Sequence, residues 1–192
     1  MIPGLYYVKN YLTNDEIDSI EKFIEDSDQF KGIHKTSNSR RVLQYGYSYG
    51  YDKSRIDKIE EIPKIFKDLV EPERISKAGK QLFKKDEELE QLIINEYKPG
   101  QGIAYHTDHE KYFGPKIACI SVGADIEINF VNKLDENNKK TLKVEKGSMY
   151  VMCSDSRYKW KHGIDKKLTN NDGSKRGTRY SLTYRTIQNG TK

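Results

Sequence analysis

Apolar positions follow two rhythms along this 192-residue chain, and the rhythm changes near residue 91. In "LTNDEIDSIEKFIED", Ile17, Ile20, Phe23 and Ile24 recur at helical spacing behind Thr13 and Glu16, a capping-box pair. The stretch predicts a helix with one apolar face. "PKIFKDLV" predicts a second helix opening at Pro63, with Ile65, Phe66, Leu69 and Val70 on one side, and "PERISKAGKQLF" a third. Between them, in "RRVLQYGYSYGYDKSRID", Tyr45, Tyr47, Tyr49 and Tyr51 alternate with Gly46, Ser48 and Gly50. Period two predicts a strand with one aromatic face.

From residue 91 onward the runs are strand-like: "QLIINEY", "KIACISVG", "DIEINFVN", "KTLKVEKG", "SMYVMCS" and "RYSLTYRTI", separated by Pro-Gly, Gly and Asn/Lys-rich turns. Short strands at regular spacing predict a sandwich or barrel. "NKLDENNKK" reads as a hairpin loop and "KKLTNNDGSKRG" as a longer, basic, mobile one. Neither an internal repeat nor a Pro/Gly/Ser-rich linker divides the chain, so residues 1–192 read as a single domain.

Composition changes this picture in three ways. Hydrophobic residues at 35% against 33% charged would suit a disordered chain, but fourteen tyrosines and six phenylalanines supply the bodies of a core. A net charge of +5 suits a polyanionic partner, and only eight of the 34 basic residues are arginine, three of them between residues 176 and 185. Cys119 and Cys153 stand alone in apolar runs as buried thiols, which excludes a disulfide framework or a cysteine zinc site. The N-terminus has no leader pattern and no stretch reaches membrane-spanning length, so the expectation is an intracellular, soluble monomer.

The chemistry-bearing residues cluster in "IAYHTDHE". His106 and Asp108 are two apart, and on a strand would share a face and one ion; His109 would point the opposite way, to the surface, while Glu110 returns to the ligand face. A third ligand is available downstream at His162. Two histidines and a carboxylate make the facial triad of non-haem iron(II), with three coordination positions left open. In "RYSLTYR", Arg179, Ser181, Thr183 and Arg185 alternate, so two guanidinium groups and two hydroxyls share a face suited to a dicarboxylate. In "RYKWKH", Tyr158, Trp160 and His162 would share a face. Trp160 either walls the site or fills the barrel, and Arg157 is either a core ion-pair partner or a site residue. His34 is remote from every motif.

Taken in order, "INEYKPGQGIAYHTD", "KGSMYVMCSDSRYKWKHGI" and "RYSLTYR", with "RRVLQYGYSYGY" upstream, resemble the AlkB family of iron(II) and 2-oxoglutarate dependent dioxygenases over about residues 38 to 187. The resemblance implies a mainly β (α+β) fold, a double-stranded β-helix or jelly roll over about 90–187. N-terminal helices would support it, and a nucleotide-lid-like segment would cover about 38–55. It assigns iron to His106, Asp108 and His162. The distal carboxylate of 2-oxoglutarate falls to Arg179, helped by Asn95 and Tyr97, with Arg185 near the chelating carboxylate. Ser181 stands where many relatives have asparagine, a variant similar to the subgroup containing the tRNA wobble-uridine hydroxylase.

The implied cofactors are Fe(II), 2-oxoglutarate and O2, and the implied reaction is oxidative demethylation of an N-methylated base in RNA or DNA. Such a base must be single-stranded or flipped out. Tyr47, Tyr49, Glu110 and Trp160 are the candidate substrate contacts. Hydroxylation of a modified tRNA wobble uridine or of a protein residue is the alternative reaction. A catalytically silent nucleic-acid binding module is the alternative outside enzymes, disfavoured by the intact triad and both arginines.

Overall fold

In a computed structural model, residues 1–32, 39–49, 56–79, 82–84 and 87–188 are described; His34 and Tyr51 lie outside them. In chain order the elements are β1 (Leu5–Val8), α1 (Asn14–Glu25), β2 (Lys31–Gly32), β3 (Arg41–Tyr45), β4 (Tyr47–Tyr49), β5 (Ile56–Lys58), α2 (Lys64–Lys67) and α3 (Pro72–Gly79). There follow β6 (Gln91–Tyr97), β7 (Ile103–His106), β8 (Phe113–Gly123), β9 (Ile126–Asn132), β10 (Lys139–Val144), β11 (Met149–Cys153), α4 (Ser154–Tyr158), β12 (Trp160–Ile164) and β13 (Arg179–Ile187).

The strands form a major sheet in the order β1-β11-β8-β13-β6-β3-β2 and a minor sheet in the order β10-β9-β12-β7, paired antiparallel throughout. This is the jelly roll that the resemblance implies, one form of the sandwich or barrel that the short strands predict. A small two-stranded antiparallel sheet, β4-β5, stands apart. The major sheet has apolar layers on both faces. Leu92, Ile94, Leu182 and Tyr184 pack with Ile17, Ile20 and Ile24 of α1 and with Phe66 and Leu69, while Ile117, Cys119, Tyr150 and Met152 meet Ile128, Phe130 and Trp160 of the minor sheet.

Helix α1 begins as its sequence dictates. The Glu16 amide donates to Thr13 Oγ1 at 3.3 Å and the Thr13 amide to Glu16 Oε2 at 2.9 Å, a reciprocal capping box. Glu16 also receives Arg74 Nη1 at 2.6 Å and Nη2 at 2.9 Å, which ties α1 to α3. The Arg74 hydrogen bond holds the Glu16 carboxyl at about 2, below its usual 4.5. A depressed carboxyl stabilises the fold above its unfolded pKa and ceases to do so as pH falls through the folded one. Glu16→Ala is therefore expected to cost about 1–2 kcal/mol at pH 7. The gap to wild type should close between pH 5 and 2, as checked by denaturant melts across that range; a gap independent of pH would refute it.

Several expectations are corrected. The second helix is one turn, capped by Pro63 and followed by a 3-10 turn at Asp68–Val70, because Glu71 is extended (ψ 136°), as a residue before proline prefers. The tyrosine ribbon is two strands, broken at Gly46. Its φ is +74°, and a Cβ there would stand 1.8 Å from the Glu90 carbonyl oxygen. Tyr45 therefore joins the helix-side core, whereas Tyr47 and Tyr49 pack on Tyr112, Phe113 and Ile187. "RYKWKH" is not one strand: Arg157 and Tyr158 lie in α4, so Tyr158 does not share the face of Trp160 and His162.

The basic loop at 166–177 is pinned. Arg176, buried, donates from Nε to Asn170 Oδ1 at 3.0 Å and from Nη1 to the Asp165 carbonyl at 2.7 Å, and Thr169 bridges Lys175. Strand β1, paired with β11, went unpredicted because four residues are too few to show a period.

Candidate active site

Between the two sheets lies a cavity lined by residues of both. His106, Asp108 and His162 line it, with Arg179, Ser181, Thr183 and Arg185 facing them and Tyr97, Ile103, Cys119, Ile128, Tyr150 and Met152 between. His106 and His162 are cross-strand partners on β7 and β12, their ring centroids 4.4 Å apart. Asp108 lies two residues past the end of β7, in the loop rather than on the strand. It nevertheless turns inward, because Arg157 takes hold of its main chain. That guanidinium, buried in α4, donates from Nη1 to the Asp108 carbonyl at 2.9 Å and from Nε to the Gly114 carbonyl at 3.5 Å. Arg157 thus ties down both ends of the loop that carries Asp108.

One donor atom from each of His106, Asp108 and His162 lies within 4.8 Å of the other two. His106 Nδ1 stands 2.8 Å from the Ala104 carbonyl, a contact that suits an N–H donor there and leaves Nε2 as the nitrogen open to a ligand. Arg185 Nη2 binds Asp108 Oδ1, which leaves Oδ2, 3.7 Å from His162 Nε2, as the free carboxylate oxygen. Burial pushes His162 down to about 3, with His106 acting the same way, so its imidazole is neutral at physiological pH, the form that ligates a metal. Burial alone would raise the Asp108 carboxyl. The Arg185 guanidinium, with His162, His106 and Arg157, outweighs that and holds it well below the usual carboxylate range. Two imidazoles and one monodentate carboxylate are the donor set of non-haem iron.

Opposite the triad, Arg179 is 1% exposed. Its Nε donates to Ser121 Oγ at 2.8 Å, its Cζ lies 5.8 Å from the Tyr97 ring centre, and its Nη2 is buried without a partner. Arg185 Nη1 donates to Gln91 Oε1 at 2.9 Å, while its Nε is also unpartnered. Among the described residues the buried, unpartnered side-chain polar atoms are three guanidinium nitrogens, those two and Arg157 Nη2. A buried donor left unpaired is costly, so this surplus of cationic donors around one carboxylate fits an anionic ligand. Ser181 and Thr183 hydroxyls, 3.4 Å apart, complete that wall.

Asn95 sits beside Tyr97 on the same face of β6 and opposite Ser181, its Oδ1 receiving Arg40 Nε at 3.1 Å. Trp160 is buried in the inter-sheet core and is not among the cavity-lining residues. Glu110 is exposed and paired with Lys133 at 3.3 Å. His109, expected at the surface, is half-buried, its ring 4.5 Å from that of Tyr112 and 6.1 Å from that of Tyr49. Tyr47 is half-buried and its carbonyl accepts from Gln91 Nε2 at 3.1 Å. Sequence reasoning missed Gln91, Cys119, Tyr150 and Met152, although the last two alternate in "SMYVMCS" and so mark an inward face.

A family model for the 2OG-Fe(II) oxygenase superfamily matches residues 4–185. The chain belongs to that superfamily. Within it this oxygenase is AlkB-like. It is 30% identical over 97% of its length to the Xenopus tropicalis tRNA (carboxymethyluridine(34)-5-O)-methyltransferase alkbh8, covering 32% of that protein. It is 29% identical to the Arabidopsis thaliana DNA oxidative demethylase ALKBH2, over 50% of this chain and 37% of the relative. The oxygenase thus spans about a third of the length of either relative. The solved structure of OsALKBH1 superposes with a TM-score of 0.70 at 17% identity, covering 97% of this chain and 99% of that one, a likeness of fold. Among the described residues no helix is long and apolar enough to cross a membrane.

Proposed function

We propose that this AlkB-type oxygenase oxidises a modified base in a nucleic-acid strand, with Fe(II) held by His106, Asp108 and His162. The reading rests on one observation: an imidazole–carboxylate triad faces a wall whose buried, unpartnered donors belong to arginines. Bound Fe(II) would supply oxygen activation coupled to oxidative decarboxylation of 2-oxoglutarate. Arg179 would receive the distal carboxylate of the cosubstrate, with Tyr97, Asn95 and Ser181 around it. Arg185 holds Asp108 monodentate, and Arg157 fixes the loop behind it. Ile103, Ile128 and Met152 keep the pocket apolar where it is not charged.

Two substrate readings fit an AlkB-like site, demethylation of an N-methylated base and hydroxylation of a modified tRNA wobble uridine. The second is favoured, because the relative named for tRNA uridine matches 97% of the chain and the one named a DNA demethylase only half of it. The test is mass spectrometry of anticodon stem-loops bearing modified wobble uridines, and of N-methylated oligonucleotides, after incubation with Fe(II), ascorbate and 2-oxoglutarate. Gain of one oxygen on the uridine is expected. Oxidation of a peptide with no oligonucleotide turnover would move the assignment to a protein hydroxylase.

Tyr49 lies edge-on to Tyr112 and Phe113, at 5.9 and 5.4 Å, on β4, within the predicted lid. If a substrate base stacks there, Tyr49→Ala should remove about 1–3 kcal/mol of binding and impair oligonucleotide turnover more than uncoupled 2-oxoglutarate decarboxylation. Binding should also weaken as salt rises. The reverse ordering, with circular dichroism unchanged, would make Tyr49 a packing residue only.

A further inference from the structure

Two adjacent arginines at the start of β3 serve opposite faces of β6. Arg41 pairs with Glu96, its register partner, through Nε at 2.6 Å and Nη2 at 2.8 Å. Arg40, one residue earlier, reaches the other face, where Gln91, Asn95 and Tyr97 align. Gln91 there binds Arg185, and Tyr97 lines the cavity. Arg40 Nε donates to Asn95 Oδ1 at 3.1 Å, and its Cζ lies 5.9 Å from the Tyr97 ring centre, so Tyr97 carries both Arg40 and Arg179.

We propose that Arg40 is a positioning residue for the cosubstrate pocket: it fixes which end of the Asn95 amide faces the anion. This rests on the functional reading above, in which Asn95 lies beside 2-oxoglutarate. An asparagine side chain has a donor end and an acceptor end of nearly identical shape, and nothing steric distinguishes the two orientations. A guanidinium has donors only. The Asn95 atom that meets Arg40 must therefore be the oxygen, and the amide N–H groups are left for the face shared with Tyr97 and Ser181. A carboxylate accepts from N–H groups and is repelled by a carbonyl oxygen. Without Arg40 the amide can turn over and present the wrong end.

The test is a double-mutant cycle on 2-oxoglutarate binding to Mn(II)-loaded protein, followed by calorimetry. Arg40→Met, which keeps the aliphatic stem, should weaken binding about tenfold. Arg40→Lys, still donor-only, should restore most of it, and Mn(II) affinity should not change in either. The deciding arm is the Asn95→Ala background, where Arg40→Met should have little further effect, because the group it orients is gone. Turnover should show a raised KM for 2-oxoglutarate at unaltered kcat. Equal losses in both backgrounds would mean that Arg40 acts on the cosubstrate directly or on the fold at large, and would overturn the proposal. If the wild-type protein itself fails to bind 2-oxoglutarate, the functional reading falls and this inference with it, a result distinguishable from additive losses in a protein that binds.

Discussion

His162→Ala is expected to abolish succinate formation from 2-oxoglutarate and to weaken Fe(II) binding by more than about 100-fold, since a three-ligand site has none to spare. The substitution removes an imidazole that is neutral when folded and leaves the Asp108–Arg185 pair whole, so loss of activity should come with retained fold. Asp108→Ala should be equally inactive, but for two reasons. It also strips Arg185 of its carboxylate and leaves a buried cation uncompensated, at a cost of about 3–5 kcal/mol. Asp108→Asn keeps the shape and is the better companion. Metal binding by equilibrium dialysis, beside a thermal melt, separates the two effects. Full turnover by His162→Ala would dismantle the proposed site.

The second large effect is on the cosubstrate. Arg179→Ala should raise the half-saturating 2-oxoglutarate concentration by about 10- to 100-fold, the worth of a charge-assisted pair. Arg179→Lys should recover little, because the buried guanidinium already spends Nε on Ser121 and offers the ligand a fixed fork that an ammonium lacks. Succinate release across a cosubstrate titration measures it. An unchanged half-saturation would show that the distal carboxylate lies elsewhere.

What was legible in the sequence is what repeats with a short, unbroken period. β13 shows Arg179, Ser181, Thr183 and Arg185 in plain alternation, and the structure keeps that face intact along one strand. The capping box of α1 is equally local and equally visible. The misreadings fall where the period is cut. A single positive-φ glycine at 46 bends the tyrosine ribbon and sends Tyr45 and Tyr49 to different cores. The five-residue α4 is shorter than two helical turns, so "RYKWKH" counterfeits a strand. Asp108 leaves the strand yet faces inward, held by an arginine 49 residues away that no local pattern announces. Gln91 is wholly buried at the head of an apolar run, and its role as partner to Arg185 depends on strands 94 residues apart meeting.

Strand β13 runs along the boundary between two unlike interiors. Its odd-numbered positions from Arg179 to Arg185 face the polar cavity, and Leu182 and Tyr184 between them are buried against the helices. A slip of one residue in its pairing with β6 and β8 would exchange the two sets, driving two guanidiniums into a layer of Ile, Leu and Phe and turning Leu182 and Tyr184 toward the metal ligands. Neither layer tolerates the other's residues, so this strand has no well-packed wrong alignment. Failed folding should therefore yield aggregate and not a soluble, silent conformer, and the soluble fraction of a preparation should be the competent fraction.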